Sequence, residues 1–459
     1  MASITKRGDS YRITVSLGRD INNKQIRDYM EWTPEPGMTD GQIDKELNRQ
    51  AVLFEEKAKK GLSLDGSMKF AEFAEKFMSD YARPNLKKST VASYEDAMVI
   101  INKAFGHIRV NQLRPHHFSE FYKNLGEQGV RRDTKYTLAV NFTKWIKKEG
   151  KTRVQIARET GICAYTLRMM EQGNAFNRKT ADKLLPLFNG KSFSALFKPV
   201  KDDRRLSSKT IRNYHAILSS MMTTAVIWQM IEVSPLSRIK APKVEKKEAR
   251  YLDDVESALL LEKLEGAPLK YKTAVYLLIY SGLRRGEVCG LEWSDIDLDT
   301  GLIRVTKNSL YLPNEGVYTD TPKSDKGTRS LKIPKVAIDV LRTHRLAQLE
   351  YRLKLGDKWQ TTGRILTAWD GSPMHPDTLT NWFGQFIKDN DLPSACLHSL
   401  RHTNATLLIS ENTDIRTVSE RLGHAQTSTT VNTYAHAVKA ADEKAASTLE
   451  NLHLNRNVK

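Results

Sequence analysis

The chain contains little cysteine and no long hydrophobic stretch. Its 459 residues include three cysteines, none in a Cys-x-x-Cys pair, which excludes a disulfide scaffold and a zinc-finger framework and is typical of a reducing compartment. The longest apolar run, near residues 274–280, is far shorter than the roughly 20 residues of a membrane-spanning helix. The N-terminus lacks the basic and then apolar pattern of a signal peptide. We therefore expect a cytoplasmic, nucleoid-associated protein without a membrane segment.

Acidic residues are also in deficit. The chain carries 72 Lys and Arg against 54 Asp and Glu, a net charge of +18. Residues 131–203 contain 16 basic and 7 acidic side chains and residues 204–250 contain 10 and 3, whereas residues 251–459 contain 26 of each. Solubilising charge would be spread evenly, so this concentration predicts that the middle of the chain contacts a polyanion.

The N-terminal segment has the pattern of a small sheet followed by a helix. Residues 10–17 and 26–32 alternate apolar and polar side chains, as half-buried strands do, with Asp20 and Asn22 as turn residues between them. A helix is expected from Thr39 to Gly61. Three basic residues are expected on the open face of the sheet: Arg12, Lys24 and Arg27.

The rest of the chain is mainly helical in pattern. Residues 70–125 and 207–231 have helical periodicity, and residues 235–250, rich in Pro, Lys and Arg, predict an extended linker. After the linker we expect helices around one strand pair, near residues 302–305 and 329–333.

Five short motifs follow one another in the last two fifths of the chain. In order they are Ser281-Gly-Leu-Arg-Arg-Gly-Glu, Thr321-Pro-Lys-Ser-Asp-Lys-Gly-Thr-Arg, His398-Ser-Leu-Arg-His-Thr, Leu422-Gly-His and Thr433-Tyr-Ala-His. Together, residues 204–459 resemble the tyrosine recombinase (phage-type integrase) family. The resemblance implies six catalytic residues: Arg284, Lys323, His398, Arg401, His424 and Tyr434. It also implies that no metal or cofactor takes part.

The implied residue types suit the cleavage of a DNA phosphodiester. Two guanidinium groups can hold the non-bridging oxygens of a pentavalent transition state without changing protonation. Tyr434 would be the nucleophile, His398 the family's candidate for the base, and Lys323 the acid for the departing 5′ oxygen. The phosphotyrosyl bond keeps the energy of the broken ester, so a second strand can be joined without a nucleotide cofactor.

Each motif residue also has an ordinary structural interpretation. Arg284 and Glu287 at a spacing of three are typical of a solvated ion pair on a helix. His398 and His402 have the spacing of a zinc site, but Arg401 between them would repel a cation, so we reject a metal. Three further residues are given roles outside catalysis: His402 and His436 as structural neighbours of the site, and Arg285 as a surface or DNA-backbone residue. Lys326 is an alternative to Lys323 for the catalytic lysine of the family's hairpin.

The N-terminal sheet and helix resemble an integrase arm-type DNA-binding domain, and two helical segments resemble the core-binding domain. The expected domains are the arm-type domain (1–66), the core-binding domain in two parts (67–130 and 204–240), an insertion (131–203), a linker (241–250) and the catalytic domain (251–459). The expected fold is mainly α with small β-sheets. In the core-binding domain, DNA contact is expected from Lys209, Arg212 and His215.

The insertion resembles the helix-turn-helix of phage-repressor (Cro/cI-like) domains. Residues 152–173 carry the resemblance, with Ala157 and Gly161 at the packing and turn positions. The residues expected at DNA are Arg153, Tyr165 and Arg168. The alternative is a helical bundle that serves as a spacer or contacts protein, because the second helix offers few base-reading side chains.

The sequence therefore predicts a site-specific recombinase that excises or inserts a mobile element as a homotetramer on two paired double-stranded DNA sites, core and arm. A directionality factor and a host DNA-bending protein are candidate further partners. Two alternatives stay open: a type IB topoisomerase, and a helix-turn-helix regulator without catalysis. An Ala-rich tail, residues 438–454, is expected to form a helix that docks on a neighbouring subunit or packs on its own domain.

Overall fold

The computed structural model describes residues 2–19, 23–59, 68–127, 135–188, 191–200, 205–245, 250–322 and 327–434. The chain forms two compact units, Met1–Glu245 and Lys246–Lys459, which divide inside the predicted linker. Within the described residues, no helix has both the length and the apolar character needed to cross a lipid bilayer. Helices dominate and the sheets are small and antiparallel, which confirms the expected fold class.

The first unit contains five strands and eleven α-helices in its described part. The strands are β1 (Ser3–Arg7), β2 (Ser10–Arg19), β3 (Gln25–Trp32), β4 (Tyr136–Leu138) and β5 (Phe197–Pro199). The helices are α1 (Asp40–Lys59), α2 (Phe70–Phe77), α3 (Arg83–Asn85), α4 (Lys88–Phe105), α5 (Pro115–Leu125), α6 (Phe142–Lys148), α7 (Arg153–Thr160), α8 (Ala164–Glu171), α9 (Arg178–Leu184), α10 (Phe193–Leu196) and α11 (Ser208–Ile227). One π-helical turn, Met78–Ala82, joins α2 to α3.

The N-terminal sheet has the strand order β1-β2-β3, and α1 packs on one of its faces. Ile13, on that face, is buried with Leu47 and Ala51 of α1. The two predicted strands and the helix are confirmed, whereas β1 was missed because its five residues are all exposed and Ile4 is its one large apolar side chain. The turn residues Asp20 and Asn22 and the predicted helix end at Gly61 lie outside the described residues.

Helices on both sides of the insertion share one hydrophobic core. Phe70 and Phe73 of α2, Phe118 of α5 and Leu218 of α11 are fully buried in it. Because the core needs α11 as well as α2 to α5, the polypeptide between α5 and α11 leaves this helical domain and returns to it.

Residues 135–200 have a core of their own. Ile156, Leu167 and Leu184 are fully buried there, among α7, α8 and α9. The two ends of the segment are joined by the antiparallel pair β4 and β5, in which Leu138 lies opposite Phe197. A segment with adjacent ends and a separate core can be inserted without pulling apart the helices around it.

The second unit is built around the buried helix that precedes the first motif. Its helices are α12 (Asp254–Leu264), α13 (Leu269–Ser281), α14 (Arg285–Gly290), α15 (Lys335–Leu355), α16 (Pro376–Asp389), α17 (Leu397–Ser410), α18 (Ile415–Leu422) and α19 (Thr427–Thr433). Its strands are β6 (Ile296–Asp297), β7 (Leu302–Val305), β8 (Asn308–Leu312), β9 (Gly316–Asp320) and β10 (Arg329–Lys332). The expected strand pair is confirmed as β7 and β10, with Ile303 opposite Leu331, and the hairpin of β8 and β9 was not predicted.

The separate cores of the first unit make a testable prediction. Leu167→Ala should lower the stability of the inserted segment by about 2–5 kcal/mol, because it leaves a cavity among α7, α8 and α9. Hydrogen exchange should then speed up in these helices and stay slow in α2, α5 and α11. Leu218→Ala is the matched control and should have the converse effect. Loss of protection in both regions with either variant would show that the two cores unfold together.

Candidate active site

Helix α17 presents three motif residues on one face. Arg401 and His402 lie three and four residues after His398, so all three side chains project to the same side of the helix. Arg401 is among the largest fully buried side chains of the chain, at 2% exposure. The rings of His398 and His402 lie edge to face, with centroids 4.6 Å apart.

The Arg401 guanidinium group binds the ends of two other helices. It donates one hydrogen bond to the carbonyl oxygen of Gly282, which ends α13, and one to that of Leu422, which ends α18, both at 2.7 Å. Gly282 has φ +66°, and a Cβ there would lie 2.7 Å from the side-chain oxygen of Asn404. Burial, followed by the charge of Arg284, lowers the pKa of Arg401 to about 9, so the side chain is still charged at neutral pH.

Arg284 stands at the N-cap of α14, just after the turn at Gly282. Its backbone N–H and its Nη1 atom both donate to the Glu287 carboxylate, at 2.9 Å. The Arg284 side chain keeps 43% exposure. It is therefore held from behind, with part of its guanidinium group open to a ligand.

Glu287 and Arg329 form a buried ion pair behind Arg284. Arg329 Nη2 lies 2.9 Å from the carboxylate. The side chains of Arg329 and Glu287 are 7% and 4% exposed, respectively. Although burial acts to raise it, the pKa of the Glu287 carboxyl is lowered by the hydrogen bonds and charge of Arg329 and of Arg284. Arg329 Nε also donates to the Arg421 carbonyl oxygen at 2.7 Å, which connects strand β10 to α18.

His424 follows Gly423, the left-handed C-cap residue of α18. Its Nδ1 atom lies 2.7 Å from the Thr430 hydroxyl oxygen. Burial, then the charges of Arg401, Arg284 and Arg329, lower the pKa of His424 to about 4. The imidazole is therefore neutral at physiological pH.

Tyr434 lies at the C-terminal end of α19 and is 1% exposed. Its ring packs in a small apolar cluster with Ala405, Val418 and Leu422. Its hydroxyl group forms a hydrogen bond with Nδ1 of His402, at 2.9 Å. Burial raises the pKa of Tyr434 to about 12, against the opposing charges of Arg401 and Arg284.

Five of the six predicted catalytic residues lie in the described part of the second unit, in one cluster. The charge of Arg401 acts on the pKa values of three of them, and the charge of the fourth, Arg284, acts on the pKa of Arg401. Together with Arg401, these four complete the cluster. They are Arg284, His398, His424 and Tyr434. Lys323, its rival Lys326, His436 and the tail lie outside the described residues. Arg285 pairs with Asp377 of α16 at 2.6 Å and its side chain is 39% exposed, as expected for a surface residue.

The three residues predicted on the N-terminal sheet differ in their surroundings. Arg12 lies on the face opposite the buried Ile13, where it pairs with Glu31 at 2.6 Å and packs on the ring of Tyr29. Arg27 is exposed on β3 and donates to the side chain of Gln25 at 2.7 Å. Lys24 lies just before β3 rather than within it.

Of the residues predicted to contact DNA from α11, Lys209 and Arg212 are exposed and His215 is half-buried. His215 Nδ1 lies 3.0 Å from the Tyr122 hydroxyl oxygen. Burial, followed by the charge of Arg212, lowers the pKa of His215. Its contact with α5 is a packing role that the sequence did not indicate.

In the inserted segment, the predicted residues separate into two kinds. Tyr165 and Arg168 of α8 are exposed, Tyr165 at 70%. Arg153 instead binds Glu171 at the end of α8, through Nε at 2.9 Å and Nη2 at 2.8 Å. The Glu171 side chain is 8% exposed, so Arg153 connects α7 to α8.

Sequence reasoning gave no role in the cluster to Glu287 and Arg329, and it interpreted His402 as a structural neighbour only. Glu287 was interpreted as half of a solvated pair, and the structure buries it. Arg329 ends the second motif but was given no role. His402 follows Arg401 directly, and its spacing of four from His398 was the available signal that it shares their face.

This arrangement can bind a phosphate group and attack it. Guanidinium groups suit phosphate oxygens because they are planar, always charged and able to bind two oxygens at once. A tyrosine hydroxyl beside an imidazole is a candidate nucleophile with a proton acceptor. Among the described residues, no group of three or more His, Cys, Asp or Glu side chains is placed to hold a metal ion.

Two family models match the chain. The model described as "Phage integrase family" matches residues 250–441, and that described as "Phage integrase, N-terminal SAM-like domain" matches residues 69–126. The first covers every residue of the cluster, and the second covers α2 to α5.

Curated relatives and solved structures agree with these matches. The ICEBs1 integrase of Bacillus subtilis (strain 168) is 30% identical over 247 residues, which are 54% of this chain and 67% of that protein. The "Tyrosine recombinase XerC-like" protein of Caldanaerobacter subterraneus is 24% identical over 97% of this chain and 96% of its own. A structure of the Tn1549 transposon integrase in complex with transposon right end DNA superposes with TM-score 0.56 at 19% identity, covering 83% of this chain and 100% of that chain.

The contacts of Arg401 predict a large difference between two conservative variants. Arg401→Lys should lower the free energy of unfolding of the second unit by about 1–3 kcal/mol, because lysine cannot reproduce the fork that satisfies two buried carbonyl groups. Arg284→Lys, at a half-exposed site, should lower it by less than about 1 kcal/mol. Calorimetric unfolding of both variants measures this. Equal losses would contradict a structural role for the buried guanidinium.

Proposed function

Because the chain belongs to the phage integrase family, it is a site-specific DNA recombinase, and we propose that it cuts and rejoins DNA through Tyr434. The observation that carries the proposal is the position of the Tyr434 hydroxyl, which is bonded to His402 on the helix face that also carries Arg401. The family match and the fold support recombination, and the geometry supports this residue as the nucleophile.

In the proposed reaction, Arg284 and Arg401 bind the scissile phosphate. Attack at phosphorus places extra negative charge on the non-bridging oxygens, and guanidinium groups already fixed in position stabilise that charge without reorganising. Arg401 is fixed by two carbonyl groups and Arg284 by Glu287. Both arginines would therefore be in place before DNA arrives.

The other residues of the cluster complete the cycle. Tyr434 would form a 3′-phosphotyrosyl bond, and Lys323 would protonate the departing 5′ oxygen. His398 and His424 would make hydrogen bonds to the phosphate. A 5′ hydroxyl from a second DNA strand then attacks the phosphotyrosyl bond and releases the tyrosine, so no cofactor is consumed.

Cleavage of nicked DNA tests the nucleophile. A nicked recognition site traps the covalent intermediate because the short 5′ strand diffuses away, so wild-type protein should give a covalent protein–DNA band in a denaturing gel. Tyr434→Phe should give none, because it lacks the attacking oxygen. Tyr311→Phe, at an exposed tyrosine of β8 in the same unit, is the matched control and should retain the band. Covalent complex with Tyr434→Phe would contradict the proposal, and cleavage without strand exchange between two sites would favour the topoisomerase alternative.

We propose double-stranded DNA as the partner and a homotetramer on two paired sites as the working assembly, for the excision or insertion of a mobile element. Two comparisons support the DNA partner and the mobile element: one relative is the integrase of ICEBs1, and the structure with TM-score 0.56 is of a transposon integrase in complex with transposon right end DNA. The basic excess of residues 131–250 supports DNA binding by the first unit. A directionality factor, a host DNA-bending protein and nucleoid association belong to the same proposal.

The N-terminal sheet is proposed to bind arm-type DNA sites. Its open face carries Arg12, Thr14 and Ser16 on β2, opposite Glu31, Tyr29 and Arg27 on β3. This face carries charged and hydrogen-bonding side chains, the groups that contact DNA phosphates and base edges.

The inserted segment is proposed to be an additional helix-turn-helix DNA-binding module. Two eight-residue helices, α7 and α8, are joined by a short turn that begins at left-handed Gly161, and the Arg153–Glu171 pair fixes them. Tyr165 and Arg168 are then exposed on α8, the second helix, which in such modules enters the major groove. With one arginine on this face, phosphate contacts would contribute more than base reading.

The proposed module predicts a change in salt dependence. Arg168→Ala should weaken DNA binding and reduce the slope of log affinity against log salt by about 1, the effect of losing one phosphate contact. Lys198→Ala, on the exposed side of β5 at the base of the segment, removes the same charge and should leave the slope nearly unchanged. Fluorescence anisotropy over a salt series measures both. Equal slopes in all three proteins would favour a spacer or protein-binding segment.

A further inference from the structure

The Tyr434 hydroxyl group has a defined hydrogen-bonding neighbour in the structure. The oxygen lies 2.9 Å from Nδ1 of His402, and the two rings are tilted with centroids 5.5 Å apart. A tyrosine hydroxyl donates to an imidazole nitrogen that carries no proton. In the tautomer of His402 that carries its proton on Nε2, the nucleophile and a proton acceptor are thus in contact.

The local fold keeps these two groups together. Tyr434 packs against Ala405, which lies three residues after His402 on α17, so the ring and the imidazole lie along one helix face. His402 directly follows Arg401, whose guanidinium group is fixed to α13 and α18. The backbone that carries His402 is therefore held in place by the contacts of the neighbouring Arg401 side chain.

The other two histidines have different contacts. His398 lies edge to face against the His402 ring. His424 uses its Nδ1 atom on the Thr430 hydroxyl, and its pKa is lowered to about 4. Tyr434, with a pKa raised to about 12 by burial, retains its proton at neutral pH and needs a base in contact with it to become a nucleophile.

We propose that His402 is a catalytic residue whose Nδ1 atom receives the proton of the Tyr434 hydroxyl as the oxygen attacks the DNA phosphate. The inference rests on the proposed function and replaces His398 as the candidate base. His398 then supports the His402 ring and remains available to the phosphate.

The step balances without an added reactant. The Tyr434 O–H bond breaks and its proton moves to His402, while the phenolic oxygen forms a bond to phosphorus. The bond from phosphorus to the 5′ oxygen breaks with its electron pair, and that oxygen takes a proton from Lys323. In rejoining, a 5′ hydroxyl gives its proton to Lys323 and its oxygen bonds to phosphorus. The bond from phosphorus to the tyrosine oxygen breaks, and His402 returns its proton to that oxygen.

Single-turnover cleavage of nicked DNA by the full chain tests this role. His402→Gln keeps a group that can hydrogen-bond to the tyrosine but cannot take its proton, and should slow cleavage by about 100-fold or more at unchanged DNA affinity. Replacing Tyr434 with 2,3,5-trifluorotyrosine, which ionises far more readily than tyrosine, should then restore most of the lost rate. The same replacement should restore much less in His398→Gln, since that variant would still contain the base.

The outcomes separate this inference from the proposed function. Cleavage by His402→Gln within about threefold of wild type would overturn the inference, as would a slow His402→Gln that trifluorotyrosine does not restore, because the residue would then only hold the hydroxyl. Restoration in His398→Gln alone would return the role to His398. A covalent complex with Tyr434→Phe would instead overturn the proposed function. Circular dichroism of each variant identifies losses that come from misfolding.

Discussion

The geometry of the candidate site in the second unit depends on the hydrogen bonds that the buried Arg401 guanidinium group makes. The last carbonyl groups of a helix have no partner within it, and Arg401 satisfies one at the end of α13 and one at the end of α18. Arg284 follows the first of these carbonyls by two residues, and His424 follows the second by two. A single side chain on α17 thus fixes the positions of groups on two other helices, and the charge that suits phosphate is also the charge that assembles the site.

Three arginines in one small region would repel one another without a counter-charge. Glu287 supplies it, because its buried carboxylate binds Arg284 on one side and Arg329 on the other. Arg329 in turn holds the Arg421 carbonyl, three residues before His424. The positive groups are therefore held in place by protein contacts before any ligand binds, and such preorganisation is what makes electrostatic stabilisation of a transition state effective. Arg284 is left half-exposed at the front of this arrangement.

The sequence predicted those features that depend on local pattern. Period-two alternation located β2 and β3, helical periodicity located α4 and α11, and motif order brought Arg284, Arg401 and Tyr434 together. What it could not predict depends on which side chains meet in space. Arg329 lies behind Glu287 and His402 contacts Tyr434, although the members of each pair are far apart in sequence. The burial of Glu287 reverses the usual expectation that such an ion pair is exposed. Strand β1 escaped because a strand with no buried residue has no hydrophobic alternation.

The chain separates the charge that attracts DNA from the charge that would act on it. Residues 251–459 are electrically balanced at 26 basic and 26 acidic side chains, whereas the inserted segment and its neighbours carry the excess. Long-range attraction depends on net charge and weakens with salt, but the hold on one phosphate depends on a few guanidinium groups in a partly dehydrated site, where screening is weak. Because the inserted segment has its own core and adjacent ends, its surface can change without disturbing the helices beside it. Under the proposed function, affinity for DNA can therefore vary through the insertion while the geometry around Arg401 and Tyr434 stays constant.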